Sequence, residues 1–403
     1  MTRRAEDCGS CSTPDPVGSR PGAAGRCART GRGGGLPELA VAGVLAAELA
    51  RAAGFAPFAR RRTAVRVERR SLGTGASRVR LDLYHPRRGA RAGGLVASVG
   101  MFPQGLDDPR FRQLYRGLAR AGFLVLAVDH PELRGFRFST TLPERLVEAF
   151  LLAEGLPELA VPRRIGLLGF CLGGAAALLA AADAQIRERV GFVATFGAPY
   201  DLAELARWMI TGRTLASAAE RLSGPGESPA GAAVGPAAWW SVLFVANLAE
   251  PLGLAGDAPG LLGYAQELLR GDPDAVAERW DLLSPRAQEL LAPLASTELA
   301  ARERLLEELR AVAPPEIRSP CDVVAGIRCP VFLFHGRHDR LVPCSEGMAL
   351  QAALAPRVPT RFLLSDLAGH TDLLRPRSLL HLATEGARLL AFVRRLLAAA
   401  RRA

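Results

Sequence analysis

Apolar and polar positions change rhythm along this chain, and each rhythm predicts an element. In Ala64-Val-Arg-Val-Glu and Arg78-Val-Arg-Leu-Asp-Leu-Tyr84 apolar residues fall at every second position. Period two marks half-exposed antiparallel strands. Gly94-Leu-Val-Ala-Ser-Val-Gly100 and Phe123-Leu-Val-Leu-Ala-Val-Asp129 are nearly all apolar. Strands covered on both faces read this way. Between them, Phe111, Leu114, Tyr115 and Leu118 stand at helical spacing and predict a helix over 109–121. A helix over 143–156, a strand over 164–169, a helix over 172–184 and a strand over 191–197 follow. This alternation predicts an α/β fold, a mostly parallel sheet with helices on both faces.

The alternation stops near Tyr200. From 200 to 325 no strand pattern occurs, and helical patterns recur at 202–210, 237–248, 261–269 and 297–312, punctuated by Pro and Gly. An insertion after the sixth strand would lie over the carboxyl ends of the strands, where open α/β sheets bind ligands. Residues 200–325 are therefore expected to form a helical cap. Trp239, Trp240 and Phe244 in its middle either line an acyl pocket or build the cap's own small core. The sheet rhythm resumes at Val331 and Arg361, so 61–199 and 326–403 are the two parts of one core. Residues 1–35 are rich in Gly, Pro, Ser and Arg without apolar periodicity, which predicts a disordered tail. Residues 36–60 read as an amphipathic helical extension whose apolar side packs on the core.

Composition narrows the partners. The chain has 403 residues, 49% of them hydrophobic, enough for a large core. Net charge is +11, and every basic residue is arginine. The arginines cluster in the flanks, without one stripe of interleaved aromatics, so no nucleic-acid partner is expected. They allow weak peripheral contact with an anionic membrane surface. The longest uncharged piece of the extension, 39–47, falls well short of the roughly 20 residues of a membrane span. Acidic residues precede the first apolar stretch, so no signal peptide is expected. The seven cysteines are scattered and read as reduced, in a cytoplasmic protein. Cys8-x-x-Cys11 and Cys27 have neither a nearby histidine nor a second Cys pair. No zinc, other metal or cofactor is expected from them.

The chemistry concentrates in Gly169-Phe170-Cys171-Leu172-Gly173-Gly174, set between an apolar strand and an alanine-rich helix. Strand, Gly-x-nucleophile-x-Gly, helix is a nucleophile elbow, a turn tight enough to strain its central residue. A helix N-terminus there favours the thiolate. Two further signals follow in order. A strand at 331–334 runs into a polar turn with Asp339, flanked by His335 and His338, and a strand from Arg361 ends in Gly369-His370. Nucleophile, acid, histidine is the order that such elbows require. Asp339 is preferred as the acid over Asp366, which lies only four residues before His370. His335 and His338 are read as strand-end packing and loop solvation, and His130 as a structural hydrogen-bonding group. Tetrahedral oxyanions need two backbone donors, here Leu172 and, in the loop after the third core strand, Met101. Phe102, beside it, is a candidate substrate contact together with Trp239 and Trp240.

These motifs resemble those of the α/β-hydrolase superfamily, and within it the dienelactone hydrolase family, which has a G-x-C-x-G-G elbow. The resemblance covers roughly 64–199 and 326–395 and implies Cys171 as nucleophile, His370 as base and Asp339 as its orienting acid. Dienelactone hydrolases carry a glutamate in the loop after their third core strand. Gly100-Met101-Phe102-Pro103-Gln104-Gly105 has no acidic residue there, which argues against dienelactone itself as substrate. Polyhydroxyalkanoate synthases resemble the chain too, in their G-x-C-x-G box and inserted cap. The expected function is a hydrolase cleaving a small ester, thioester or lactone through an acyl-enzyme. The alternatives are an acyltransferase using the same triad and a non-catalytic binding protein on the same fold.

Overall fold

The structure is a computed structural model that describes residues 64–159 (save 74, 76, 77, 88 and 91), 165–214, 236–313, 318–370 and 378–402. The expected tail, the extension at 36–60 and the three N-terminal cysteines lie outside the described residues.

The strand and helix patterns become, in chain order, β1 (Arg66–Leu72), β2 (Val79–His85), β3 (Gly93–Ser98), α1 (Pro109–Arg120), β4 (Phe123–Val128) and the short α2 (Pro131–Arg134). They continue as α3 (Leu142–Glu154), β5 (Ile165–Phe170), α4 (Leu172–Ala181) and β6 (Val190–Phe196). One eight-stranded sheet has the order β1-β2-β4-β3-β5-β6-β7-β8, with β7 at Val331–Gly336 and β8 at Thr360–Ser365. β2 runs antiparallel to both its neighbours, and every other pairing from β4 to β8 is parallel. This strand order, with its reversed second strand and a tight strand-to-helix turn after β5, is the α/β-hydrolase fold.

Strand geometry explains the all-apolar runs. Successive side chains point to opposite faces, and both faces are covered. Val96, Leu124, Leu126, Leu167 and Val193 join one core with α3 and α4. Their neighbours Leu95, Val125, Leu168 and Phe192 join a second core with α1 and the C-terminal helix.

Between β6 and β7 the described chain is helical: α5 (Leu202–Thr211), α6 (Ala238–Asn247), α7 (Ala258–Arg270), α8 (Pro273–Asp281), α9 (Pro285–Ala295), α10 (Leu299–Val312) and α11 (Pro320–Val323). α8 and α9 are not apparent from periodicity. They start on Asp272 and Ser284, whose side chains accept backbone N–H bonds, each with Pro next. Such caps start helices without an apolar stripe. α12 (Cys344–Leu354) and α13 (Leu379–Arg402) complete the chain. Leu205, Met209, Trp240 and Leu243 of the insertion are continuous with the first core.

Both crossings between core and insertion are tied together. Cys321 N donates to Tyr200 O at 2.9 Å, and Leu202 N to Ser319 Oγ at 3.0 Å. Glu346, in the first turn of α12, accepts from Tyr200 N and Asp201 N at 2.8 and 2.9 Å. Among the described residues no helix is long and apolar enough to cross a membrane.

Candidate active site

A single residue separates β5 from α4. Cys171 has φ 53° and ψ −126°, a conformation that side chains rarely adopt. The turn is held from both sides. Cys171 N donates to Phe196 O at 2.8 Å, and Gly174 N donates to Cys171 O at 2.8 Å. A Cβ on Gly169 would lie 2.1 Å from Gly173 O, so the glycine at that position is a steric requirement. The elbow leaves Cys171 3% exposed, at the head of the helix.

The loop after β3 lies against the sulfur. A Cβ on Gly100 would stand 2.6 Å from Cys171 Cβ and 3.5 Å from Sγ. Met101 follows directly and is buried. Leu172 is the first residue of α4, and such a residue's N–H finds no acceptor inside its own helix. Phe102 packs edge-on against Phe111 at 4.7 Å, with Arg110 5.5 Å from its ring centroid.

Asp339 and His370 come from the turns after β7 and β8. His370 Nδ1 and Asp339 Oδ2 are 2.7 Å apart, and the Cys171 side chain lies close enough to act on the same imidazole. Asp339 Oδ1 accepts from Leu341 N at 2.8 Å and Val342 N at 2.9 Å. Burial pushes the Asp339 carboxyl up, but His370 outweighs it and holds the carboxyl below its ordinary range. Burial alone would lower the His370 pKa. Asp339, with Cys171, reverses that and holds the imidazole well above its usual value. The geometry thus gathers a thiol, an imidazole and a carboxylate into one relay, in a site where charge interactions are strong.

The other candidates fall around this relay. Asp366 accepts from Arg337 Nε at 2.5 Å. His335 Nε2 lies 3.0 Å from Val342 O and 3.6 Å from Asp339 Oδ2, and burial lowers its pKa. His338 is partly exposed. Trp240 is 1% exposed, and its Nε1–H donates to Leu341 O at 3.0 Å. Trp239 is half-buried, edge-on to Phe136 at 6.2 Å.

Three contributors were not visible in the sequence. Ser98, at the end of β3, is 2.8 Å from His130 Nε2, and burial pushes the His130 pKa down to about 3. This neutral pair underlies the loop of Gly100. Gly197, with φ +59°, lets the end of β6 pass the relay: a Cβ there would come within 3.2 Å of Asp339 Oδ2 and His370 Nδ1. Asn247 of α6 accepts from Phe138 N and donates to Phe136 O, clasping the insertion to the β4–α3 loop. Only tertiary contact identifies these residues, since none sits in a short motif. Among the described residues, Asp366, His381 and Glu385 offer ligand atoms within 4.8 Å of one another. Arg337, Arg388 and Ser365 already bond the two carboxylates.

No protein-family model matches the chain, and no curated protein matches it. Among solved structures it is similar to an acylaminoacyl peptidase of Pyrococcus horikoshii, at 12% identity and a TM-score of 0.44, over 77% of this chain and 38% of that one. The chain therefore spans well under half of the peptidase's length. It is also similar to a dienelactone hydrolase of Anabaena variabilis, at 14% identity and a TM-score of 0.41, over 81% of this chain and 96% of that one. An esterase of Pyrococcus furiosus shows 13% identity and a TM-score of 0.44, over 84% of this chain and 96% of that one.

Proposed function

We propose that this chain is a cysteine hydrolase of small carboxylic esters, thioesters or lactones. The observation that carries this reading is the buried relay Cys171–His370–Asp339 at a strained strand-to-helix turn. With Nδ1 bound to Asp339, His370 keeps Nε2 for the thiol. The imidazole takes the thiol proton, and the thiolate attacks the carbonyl carbon. The C=O π electrons move to oxygen, which accepts hydrogen bonds from the N–H groups of Leu172 and Met101. Collapse breaks the bond to the leaving group, which departs with the proton from His370. The acyl-enzyme then reacts with water, deprotonated by the same imidazole, and Cys171 is restored. Asp339 steadies the imidazolium and fixes its tautomer without taking its proton.

The helical insertion is the part of the chain suited to select the acyl group, with Phe102 and Trp239 as proposed contacts; Trp240, 1% exposed and bonded to Leu341 O, faces the turn of Asp339 instead. A cytoplasmic setting accords with a thiol nucleophile and with Cys171, Cys321, Cys329 and Cys344 standing outside any disulfide. The test is intact mass after mixing with a panel of p-nitrophenyl esters and acyl thioesters. An acyl adduct on Cys171, absent from Cys171→Ala, is expected. Decay of that adduct in buffer alone marks a hydrolase, and decay only with added alcohol or thiol marks an acyltransferase. Absence of any adduct, with full turnover in the alanine variant, would overturn both.

A further inference from the structure

Trp240 belongs to α6 in the insertion, yet its polar atom bonds to the turn that carries Asp339. The indole Nε1–H donates to Leu341 O at 3.0 Å. The C=O of Leu341 and the N–H of Val342 are two ends of one planar peptide unit. That same Val342 N–H donates to Asp339 Oδ1 at 2.9 Å, and Leu341 N–H does so at 2.8 Å. One rigid plane is thus pinned at its oxygen by the tryptophan while its hydrogen holds the carboxylate. A donor on a peptide oxygen also polarises the unit and strengthens its N–H as a donor. On its far side Val342 O bonds to His335 Nε2 at 3.0 Å, which limits rotation of the turn.

The ring is held rigidly enough for this. Trp240 is 1% exposed and meets Phe138 edge-on at 6.3 Å. About two helical turns on, Asn247 fixes α6 to the backbone of Phe136 and Phe138. Phe136 itself has φ 58°, a strained conformation that persists only where its surroundings over-determine it. α6 therefore bridges two loops at the edge of the sheet, one after β4 and one after β7.

We propose that Trp240 is a positioning residue: through its ring N–H it orients the Leu341–Val342 peptide, and so couples docking of the insertion to the placement of Asp339 against His370. This rests on the triad reading above. In that role the ring is a structural part of the relay and sets the poise of Cys171, whatever acyl chain is bound. A less firmly held carboxylate stabilises the His370 imidazolium less, and the imidazole then takes the proton of Cys171 less readily.

The decisive experiment removes the N–H and keeps the ring. The full chain is prepared with 3-benzothienylalanine at position 240 alone, sulfur replacing the indole N–H, and as Trp240→Phe. Alkylation of Cys171 by iodoacetamide is followed from pH 4 to 10, with thermal melts in parallel. Alkylation at neutral pH should slow about three- to tenfold, the scale of one hydrogen bond. The isostere should show this with little change in melting temperature. Alkylation profiles that coincide between wild type and isostere would overturn the proposal, leaving Trp240 as packing alone. If Trp240→Phe does not fold, the isostere decides. Alkylation needs no substrate, so a shifted profile in a protein that forms no acyl adduct would sink the hydrolase reading and leave this one standing.

Discussion

A residue held at positive φ without being glycine costs about 1–3 kcal/mol, and Cys171 is held there by hydrogen bonds to its N–H and its C=O. That turn sets the thiol at the head of α4, within reach of the charge on His370. Cys171→Ala should lower kcat by about 10³-fold or more, since only binding and oxyanion contacts would remain. Circular dichroism should show an unchanged fold, and iodoacetamide should label the wild type at this site. Asp339→Asn should cost about 10⁴-fold in kcat, because the amide stabilises the wrong imidazole tautomer. Asp366→Asn, whose carboxylate pairs with Arg337 and His381, should cost little. The opposite order in steady-state kinetics would reassign the acid. Gly100→Ala places a methyl 2.6 Å from Cys171 Cβ and 2.9 Å from Phe170 O. The loop must then retreat with its N–H donor, and kcat should fall on the order of 10²-fold, as for loss of an oxyanion contact. Normal kcat in that variant would remove Met101 from the oxyanion site.

At the scale of elements, the insertion leaves and re-enters the core at one place, and Glu346 of α12 sits in it. Burial pushes its carboxyl from 4.5 up to about 7, Asp201 and Glu204 add to this, and the N–H groups of Asp201 and Tyr200 pull against it. In the unfolded chain the group ionises near its ordinary value. Between the two values the folded protein binds more protons, so this residue's contribution to stability falls as pH rises from about 4.5 through 7. A glutamine carbonyl can accept the same two N–H groups and does not titrate. The melting temperature of Glu346→Gln should therefore gain on the wild type steadily from pH 5 to 8. Parallel melting curves over that range would show that Glu346 ionises normally. α8 and α9 carry a lesson at the same scale. Asp272-Pro273 and Ser284-Pro285 are start signals that a search for apolar stripes passes over, because these helices hold few buried residues.

Across the whole molecule, the relay joins residues 171, 339 and 370, with the insertion between the first two. If the insertion binds the acyl chain, kcat/KM on p-nitrophenyl esters should rise several-fold per two carbons, each methylene being worth about 0.8 kcal/mol. It should then fall once the pocket is full. A flat profile from C2 to C12 would assign chain selection elsewhere. On the proposal for its ring N–H, Trp240→Phe should lower kcat at every chain length without moving the optimum.

By itself the sequence determined the sheet, the elbow and the chain order of Cys171, Asp339 and His370. These are local: an all-apolar strand needs two covered faces, and Gly169 is forced by a contact with Gly173 four residues away. Asp339 was also legible, because it ends a strand and precedes the turn whose N–H groups bind it. Tertiary structure alone decided what surrounds them. Trp240 meets Leu341 across 101 residues, Glu346 meets Tyr200 across 146, and Asn247 meets Phe138 across 109. Apolar periodicity reports which side of a helix is buried and not which backbone atom a buried ring reaches. Trp239 and Trp240 thus looked alike in the sequence, and only the packing of α6 separated a half-buried ring from one bonded to the turn of Asp339.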